Sequence, residues 1–195
     1  MRRSEIVRRT AETDIRVVLC LEGSGRSEID TGCGFLNHML TLFAKHGQFD
    51  LTVKCLGDTD VDDHHTVEDV GICMGEAFAQ ALGNMGGITR YGSFILPMDE
   101  SLVLACIDIS GRAYLGYALQ LPSQKIGTFD TELIKEFWLG FVRKANVTMH
   151  FRQFSGENSH HIAEAAFKAA ARCLHIACSI DPDLNGEIPS TKGVL

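Results

Sequence analysis

The sequence predicts an α+β fold built from two duplicated β-β-α-β-α halves, with sheets packed against helices. Two observations carry this prediction: residues 64–68, HHTVE, recur as residues 160–164, HHIAE, and similar elements precede each copy in the same order. At 195 residues the chain can bury one substantial core shared by both halves. We therefore expect a single domain over residues 1–195, composed of two pseudo-repeats of about 1–86 and 87–195.

Alternating apolar residues, typical of a strand with one buried face, begin the recognisable part of each half. They cover residues 15–21 and 102–107, and a Ser-Gly-Arg triplet that predicts a turn follows each of them, at 24–26 and at 110–112. The next segments have helical character, at about 35–45 and 131–144, and a further strand follows at 49–54 and 147–152. The glycine-rich residues 83–87 predict the joint between the halves.

Each histidine pair opens a segment with the apolar period of a helix. Residues three and four apart share a helix face, so imidazole and Glu68, or imidazole and Glu164, can reach one ion. Two copies of such a cluster predict two metal ions. Aligning the first helices of the halves places His38 against Glu136, so if His38 is a ligand, Glu136 is its counterpart.

Ligand chemistry favours some ions over others. A set of His and Glu without nearby Cys, with more than four members, fits octahedral Mn²⁺, Fe²⁺ or Ni²⁺ better than tetrahedral Zn²⁺. The other histidines carry weaker signals: His46 stands alone, and His150 has no ligand counterpart in the first half. His175, in an alanine-rich helix, is expected to be structural.

Composition excludes several classes of protein. The net charge of −7 argues against general nucleic-acid binding, although it allows a local cationic pocket for phosphate. There is no eighteen-residue apolar run that could span a membrane, and the first residues lack the apolar stretch of a secretory signal. The seven cysteines form no Cys-x-x-Cys pair, which predicts reduced thiols in a cytoplasmic protein.

The C-terminal segment, residues 188–195, has the sequence IPSTKGVL. Ser, Thr and Lys beside a glycine suit an oxyanion such as phosphate. A frayed tail is the alternative, and the sequence alone leaves both open.

Long segments of the chain resemble the imidazoleglycerol-phosphate dehydratases of histidine biosynthesis. They are RTAET at 9–13, GFLNHML at 34–40, DDHHTVED at 62–69, RYG at 90–92, PMDE at 97–100, GENSHH at 156–161 and PSTKG at 189–193. The resemblance implies the ribosomal protein S5 domain 2-like fold and a hydro-lyase that converts imidazole glycerol phosphate to imidazole acetol phosphate and water. It also implies two Mn²⁺ ions per active site and a homo-oligomer, a 24-mer with active sites at subunit interfaces.

Position by position, the resemblance implies three sets of site residues. The metal ligands are His38, His64, His65, Glu68, Glu136, His160, His161 and Glu164, although many family members have His at the position of Glu136. The phosphate ligands are Arg90, Arg112, Lys168, Ser190 and Lys192. The catalytic residues are Glu12, His46 and Glu164, and other contacts to the substrate come from Glu12, His38, His46, His64, Glu68 and His160.

No carbonyl acidifies the hydrogen that the substrate loses, so simple base-catalysed elimination would be slow, and metal coordination offers a route. An ion on the imidazole nitrogen can stabilise the deprotonated ring, which then expels the adjacent hydroxide to give a diazafulvene-like intermediate. Glu12 is the candidate acid and base. Arg90 and Arg112 would hold the phosphate by charge-assisted hydrogen bonds. The spacing of Glu164 and Lys168 would place both on one helix face.

Two other classes of protein remain open at this stage. A binuclear metallohydrolase would activate water against a phosphate ester and would release phosphate. A metal-storage or metal-dependent assembly protein would bind ions but would leave Arg112 and the C-terminal segment without a role.

Overall fold

A computed structural model describes the whole chain, residues 1–195, with ten strands and four α-helices. The first half contains β1 (Arg3–Arg9), β2 (Thr13–Cys20), β3 (Ser27–Asp30), α1 (Gly34–Gly47), β4 (Asp50–Gly57) and α2 (His64–Leu82). The second half contains β5 (Tyr91–Met98), β6 (Ser101–Asp108), β7 (Tyr114–Ala118), β8 (Lys125–Ile126), β9 (Phe129–Asp130), α3 (Leu133–Ala145), β10 (Thr148–Ser155) and α4 (Ser159–Cys178). A 3-10 turn, Pro182–Leu184, follows α4. No helix is long and apolar enough to cross a membrane.

Both halves share one sheet topology. The strand order is β1-β2-β4-β3 in the first sheet and β5-β6-β10-β7 in the second. In each sheet the last pair is parallel, and α1 or α3 forms the crossover between its strands. The predicted duplicated α+β fold is therefore confirmed, although the structure has more strands before the first helix of each half than predicted: one more in the first half, β3, and three more in the second, where β7, β8 and β9 precede α3. The sequence pattern concealed β3 because it is only four residues long and mostly exposed.

The two sheets lie on the outside, and the four helices lie between them. Helix α2 packs on β1, β2 and β4, helix α4 packs on β5 and β6, and the halves meet where α2 packs on α3 and α1 on α4. Strand residues alternate between buried and more exposed positions, as β6 does throughout its length. One continuous core of 51 buried apolar residues spans both halves. Trp138 lies in it, against Phe43 of α1, Phe151 of β10 and Phe167 of α4.

The repeat defines equivalent positions in the two halves. Strands β2 and β6 have the same length, and so do β4 and β10. Glu12 and Glu100, which immediately precede β2 and β6, are therefore equivalent, and so are Asp50 and Thr148, which begin β4 and β10. These pairs allow the two halves to be compared residue by residue.

Candidate active site

His38 on α1 and His160 and Glu164 on α4 form a three-residue cluster between the two helices. One possible ligand atom of each residue lies within 4.8 Å of the others. Glu164 Oε2 is 3.5 Å from His38 Nε2 and 3.3 Å from His160 Nε2. Along the chain, His38 belongs to the first half, as His64 and Glu68 do. The structure instead joins it to second-half residues, because α1 packs on α4.

Glu164 is prepared to act as an ionised ligand. Its side chain is only 9% exposed, and Lys168, one helical turn later, forms an ion pair with Oε1. Burial acts to raise the pKa of Glu164, but the hydrogen bond and charge of Lys168 hold it below its ordinary value. Oε2 therefore faces the two imidazoles. Two imidazoles and a carboxylate are a donor set that fits Mn²⁺.

Aromatic contacts hold the ring of His160 in place. The ring of Phe35 meets it edge to face, with centroids 5.4 Å apart, and Phe129 of β9 packs on Phe35 at 4.9 Å. The β8–β9 hairpin follows a segment tied to α4 by the hydrogen bond from Ser123 N to Ser159 Oγ, at 2.9 Å. The first half has no such hairpin between β3 and α1.

The equivalent residues of the other helix pair are not assembled in the same way. His64 and Glu68 on α2 are 3.9 Å apart, and Glu136 lies in the first turn of α3, which packs on α2. These three residues do not form a group comparable to the His38 cluster. Glu68 and Glu136 carry like charges, which repel unless a cation lies between them.

The two imidazoles of each histidine pair lie nearly perpendicular to each other and have different partners. Their ring planes meet at 84° in the first motif and at 79° in the second. His65 Nδ1 lies 3.0 Å from Asp58 Oδ2, and His161 Nδ1 lies 2.7 Å from Glu100 Oε2. Each hydrogen bond raises the pKa of its imidazole and leaves Nε2 as the free ligand atom. His65 and His161 therefore do not belong to the same cluster of possible ligand atoms as their neighbours His64 and His160.

Carboxylates also face the outer nitrogens of these histidines. Glu12 Oε1 is 3.7 Å from His65 Nε2, and Asp99 Oδ2 is 3.7 Å from His161 Nε2. Asp58, Asp99 and Glu100 were not among the sequence candidates. Glu100 could have been found, because it precedes β6 as Glu12 precedes β2.

Four of the five predicted phosphate ligands line one cavity of about 830 Å³: Arg90, Arg112, Ser190 and Lys192. Arg112 is more available to an anion than Arg90, because its side chain is 69% exposed and its nearest acidic partner, Asp108, is 4.0 Å away. The C-terminal segment therefore does not fray into solvent but forms one wall of a cationic cavity.

Arg90 has a structural task in this cavity. Its Nε donates to Asp108 Oδ1 at 2.7 Å, and its Nη1 donates to Pro189 O at 2.7 Å. The hydrogen bond to Asp108 raises the pKa of Arg90. The side chain thus ties the C-terminal segment to β6, and its backbone N–H donates to Ala177 O near the end of α4.

Lys168 and His46 lie elsewhere, along the contact between α1 and α4. Burial and the charges of Lys168 and Arg172 lower the pKa of His46. The predicted phosphate ligand Lys168 is therefore beside the His38 cluster and does not line the cavity with Arg112. Along α4, Glu164 and Ala177 are about 20 Å apart at 1.5 Å per residue.

The turn at residues 24–26 of the first half corresponds to the turn at residues 110–112 of the second half, which contains Arg112. In the first half, the carboxylate of Asp50 occupies this turn. Asp50 Oδ1 accepts hydrogen bonds from the backbone N–H groups of Ser24 and Arg26, at 2.8 and 3.0 Å, and Oδ2 accepts one from the Arg26 guanidinium at 3.2 Å. These bonds lower the pKa of Asp50 to about 2. Thr148 occupies the equivalent position in the second half and carries no charge. Only the second-half turn is therefore open to an external anion.

Together, fold and site define an internally duplicated α+β enzyme that combines histidine–carboxylate clusters with a cationic cavity. A family model described as imidazoleglycerol-phosphate dehydratase matches residues 31–174. The chain belongs to the imidazoleglycerol-phosphate dehydratase family. It is a hydro-lyase of histidine biosynthesis, EC 4.2.1.19, which removes the metallohydrolase and metal-storage alternatives.

Full-length relatives and solved structures agree with this assignment. The imidazoleglycerol-phosphate dehydratase of Prochlorococcus marinus (strain AS9601) is 54% identical over 195 residues, which cover all of this chain and 97% of that protein. The one from Rhodopseudomonas palustris (strain HaA2) is also 54% identical, with 99% of its length covered. The crystal structure of the Staphylococcus aureus enzyme has a TM-score of 0.84 at 39% identity, covering 92% of this chain and 99% of that one. The Pyrococcus furiosus structure has the same TM-score at 38% identity, covering 97% and 100%.

Proposed function

We propose that this dehydratase works with two Mn²⁺ ions per active site. The observation that carries the proposal is the His38–His160–Glu164 cluster, in which two imidazoles converge on one ionised oxygen. The remaining ligands would be His64, His65, Glu68, Glu136 and His161, of which His65 and His161 already have Nδ1 engaged by a carboxylate. When bound, the ions supply Lewis-acid stabilisation of the negative charge that develops on the substrate imidazole.

The side chains of the protein position the substrate for the reaction. Arg112, Lys192 and Ser190 would bind the phosphate, while Arg90 holds the C-terminal wall of the cavity in place. Binding the phosphate far from the ring converts binding energy into correct placement of the reacting carbons. His46 lies near Lys168 at the α1–α4 contact and would contact the substrate.

Glu12 is the proposed acid and base. Its carboxylate accepts no hydrogen bond within the chain and is 53% exposed, so it can reach a bound substrate. The substrate loses the hydroxyl from the carbon attached to its ring and a proton from the next carbon. Glu12 would give a proton to the hydroxyl, which leaves as water, and would then take the proton from the next carbon, so that it ends as it began. The resulting enol would tautomerise to imidazole acetol phosphate.

The active site would lie between copies of the chain. Within one chain, about 20 Å of α4 separates the His38 cluster from the cavity of Arg112. The substrate consists of an imidazole ring joined through three carbons to a phosphate, and it extends less than about 10 Å, at about 1.5 Å per bond. A second copy must therefore bring its cavity to the cluster of the first, where Lys168 could meet the phosphate. We propose a homo-oligomer, the 24-mer of the resemblance, in the cytoplasm, where all seven free cysteines stay reduced.

The first experiment measures turnover of imidazole glycerol phosphate by the chelated protein, before and after addition of Mn²⁺. Both ketone and free phosphate are followed. We expect ketone only when Mn²⁺ is present, and no release of phosphate. Equal turnover in the chelated protein would contradict the role of the metal. Light scattering in the same samples reports whether the active species is a large oligomer.

A further inference from the structure

We propose that Asp58 is a positioning residue of the reaction: by taking the hydrogen bond of His65 Nδ1, it leaves Glu12 free to serve as the acid and base. This inference rests on the proposed function of Glu12 and His65. It is based on a comparison of the two halves, in which the equivalent residues Glu12 and Glu100 have different partners.

In the second half, the equivalent glutamate is fully engaged. Glu100 Oε2 receives the hydrogen bond of His161 Nδ1 at 2.7 Å. Glu100 Oε1 accepts hydrogen bonds from the backbone N–H groups of Glu157 and Asn158, at 3.1 and 2.9 Å, and from Ser101 Oγ at 3.0 Å. A carboxylate with both oxygens committed to the start of α4 cannot move a proton on a substrate without losing these bonds.

In the first half, Asp58 takes over the histidine. Its Oδ1 and Oδ2 lie 3.2 and 3.0 Å from His65 Nδ1. Its backbone N–H donates to Glu12 O at 3.1 Å, so the β1–β2 turn and the residue that follows β4 are held together. The carboxylate of Glu12, equivalent to that of Glu100, makes no hydrogen bond, and its only close partner is His65 Nε2 at 3.7 Å.

Local packing explains why the second half cannot use the same arrangement. Asp58 follows β4 directly, and the residue that follows β10 directly is Gly156. A Cβ on Gly156 would lie 2.6 Å from Ser101 Oγ and 2.7 Å from Ile162 Cγ1, and Gly156 has φ of +140°. A side chain does not fit there, so Glu100 must hold His161. Because Asp58 in the first half corresponds to Gly156 in the second, only the first half leaves its glutamate, Glu12, with a free carboxylate.

A graded series of variants tests the proposal on the full-length protein. Asp58→Ala removes the acceptor, whereas Asp58→Asn keeps an amide oxygen that can still accept from Nδ1–H. Asp60→Ala is the matched control, because Asp60 is an exposed residue of the same loop and its side chain forms no hydrogen bond or ion pair. Steady-state kinetics give kcat and KM, and titration of the chelated protein with Mn²⁺, followed by electron paramagnetic resonance, gives the metal affinity.

We expect Asp58→Ala to lower Mn²⁺ affinity by about 10- to 100-fold and to lower kcat with little change in KM. Asp58→Asn should recover much of both losses, and Asp60→Ala should match the unaltered protein. Asp58→Ala with unchanged kcat and Mn²⁺ affinity would overturn the proposal. So would equal losses in Asp58→Ala and Asp58→Asn that follow thermal stability alone. If the unaltered protein itself gave no turnover, the proposed function would fail, and the Mn²⁺ affinities would still decide whether Asp58 positions His65.

Discussion

The α1–α4 contact and the α2–α3 contact are equivalent in the two halves, yet only the first brings its candidate ligands together. At α1–α4, His38 faces Glu164, and Lys168 balances the second oxygen of that carboxylate. At α2–α3, the counterpart of His38 is Glu136, which has the same charge as Glu68, and Ile72 stands where Lys168 stands in the other half. Charge therefore decides which cluster is assembled in the chain alone.

Helix separation does not explain the difference. Glycines bring α2 and α3 very close: a Cβ on Gly71 would lie 2.3 Å from Phe137 O, and one on Gly75 would lie 2.2 Å from Phe141 O. On α4 the position equivalent to Gly71 holds the bulky Phe167. The more closely packed helix pair is thus the one with the unassembled cluster. Duplication preserved the order and topology of the sheet strands and helices, and individual side chains made the two sites different.

The largest effect is expected from Glu164→Gln, because it removes the ionised oxygen on which both imidazoles converge. Turnover should fall by about 10³-fold, which corresponds to about 4 kcal/mol of transition-state stabilisation. The turnover of Glu68→Gln should fall by a similar factor if the second cluster is also catalytic. Glu76→Gln is the control, because Glu76 is an exposed residue of α2. Kinetics with saturating Mn²⁺ check this, and near-normal turnover of Glu164→Gln would remove the cluster from the mechanism.

The two turns offer a matched pair of arginines. Arg112→Ala should raise KM by about 10- to 100-fold, since hydrogen bonds to charged groups contribute about 1.5–3 kcal/mol. Arg26→Ala should leave KM unchanged, because Asp50 already occupies the first-half turn. Steady-state kinetics on both variants provide the comparison. A similar rise in KM for both would show that the turns do not differ in the way inferred here.

Exchanging the ligand at Glu136 sharpens the comparison of the helix pairs. Glu136→Ala should reduce the number of tightly bound Mn²⁺ ions from two to one per chain. Glu136→His should retain both, because imidazole also binds Mn²⁺ and no longer repels Glu68. Equilibrium dialysis measures the stoichiometry directly. Two tight ions in the alanine variant would exclude Glu136 as a ligand.

The smallest effect concerns Asp50. Its pKa is lowered in the folded chain from 3.8 to about 2, so its bonds stabilise the fold above about pH 4 and are lost as the pH falls through 2. Asp50→Asn should therefore cost on the order of 1 kcal/mol at pH 7, since the group is near the surface, and the difference should vanish near pH 2. Urea unfolding at several pH values measures it. A cost that is constant with pH would contradict the ionic cause.

Most of the elements could be predicted from the sequence because their residues have strong periodicity. The helices that carry the histidine pairs and the segments around His38 and Glu136 lie where the pattern places them. Helical spacing also placed Glu164 and Lys168 on one helix face, and the ion pair between them agrees with that. Strand β3 was missed because short exposed strands leave no alternation.

By itself the sequence determined that the fold is duplicated, which family the chain belongs to, and which residue types the site contains. These properties depend on local periodicity and on motifs that are contiguous in the chain. Only the tertiary structure decided that His38 joins His160 and Glu164, that Lys168 lies far from Arg112, and that Asp58 holds His65. Each of these depends on which helix or loop packs against which, and that is set by the shared core, not by spacing along the chain.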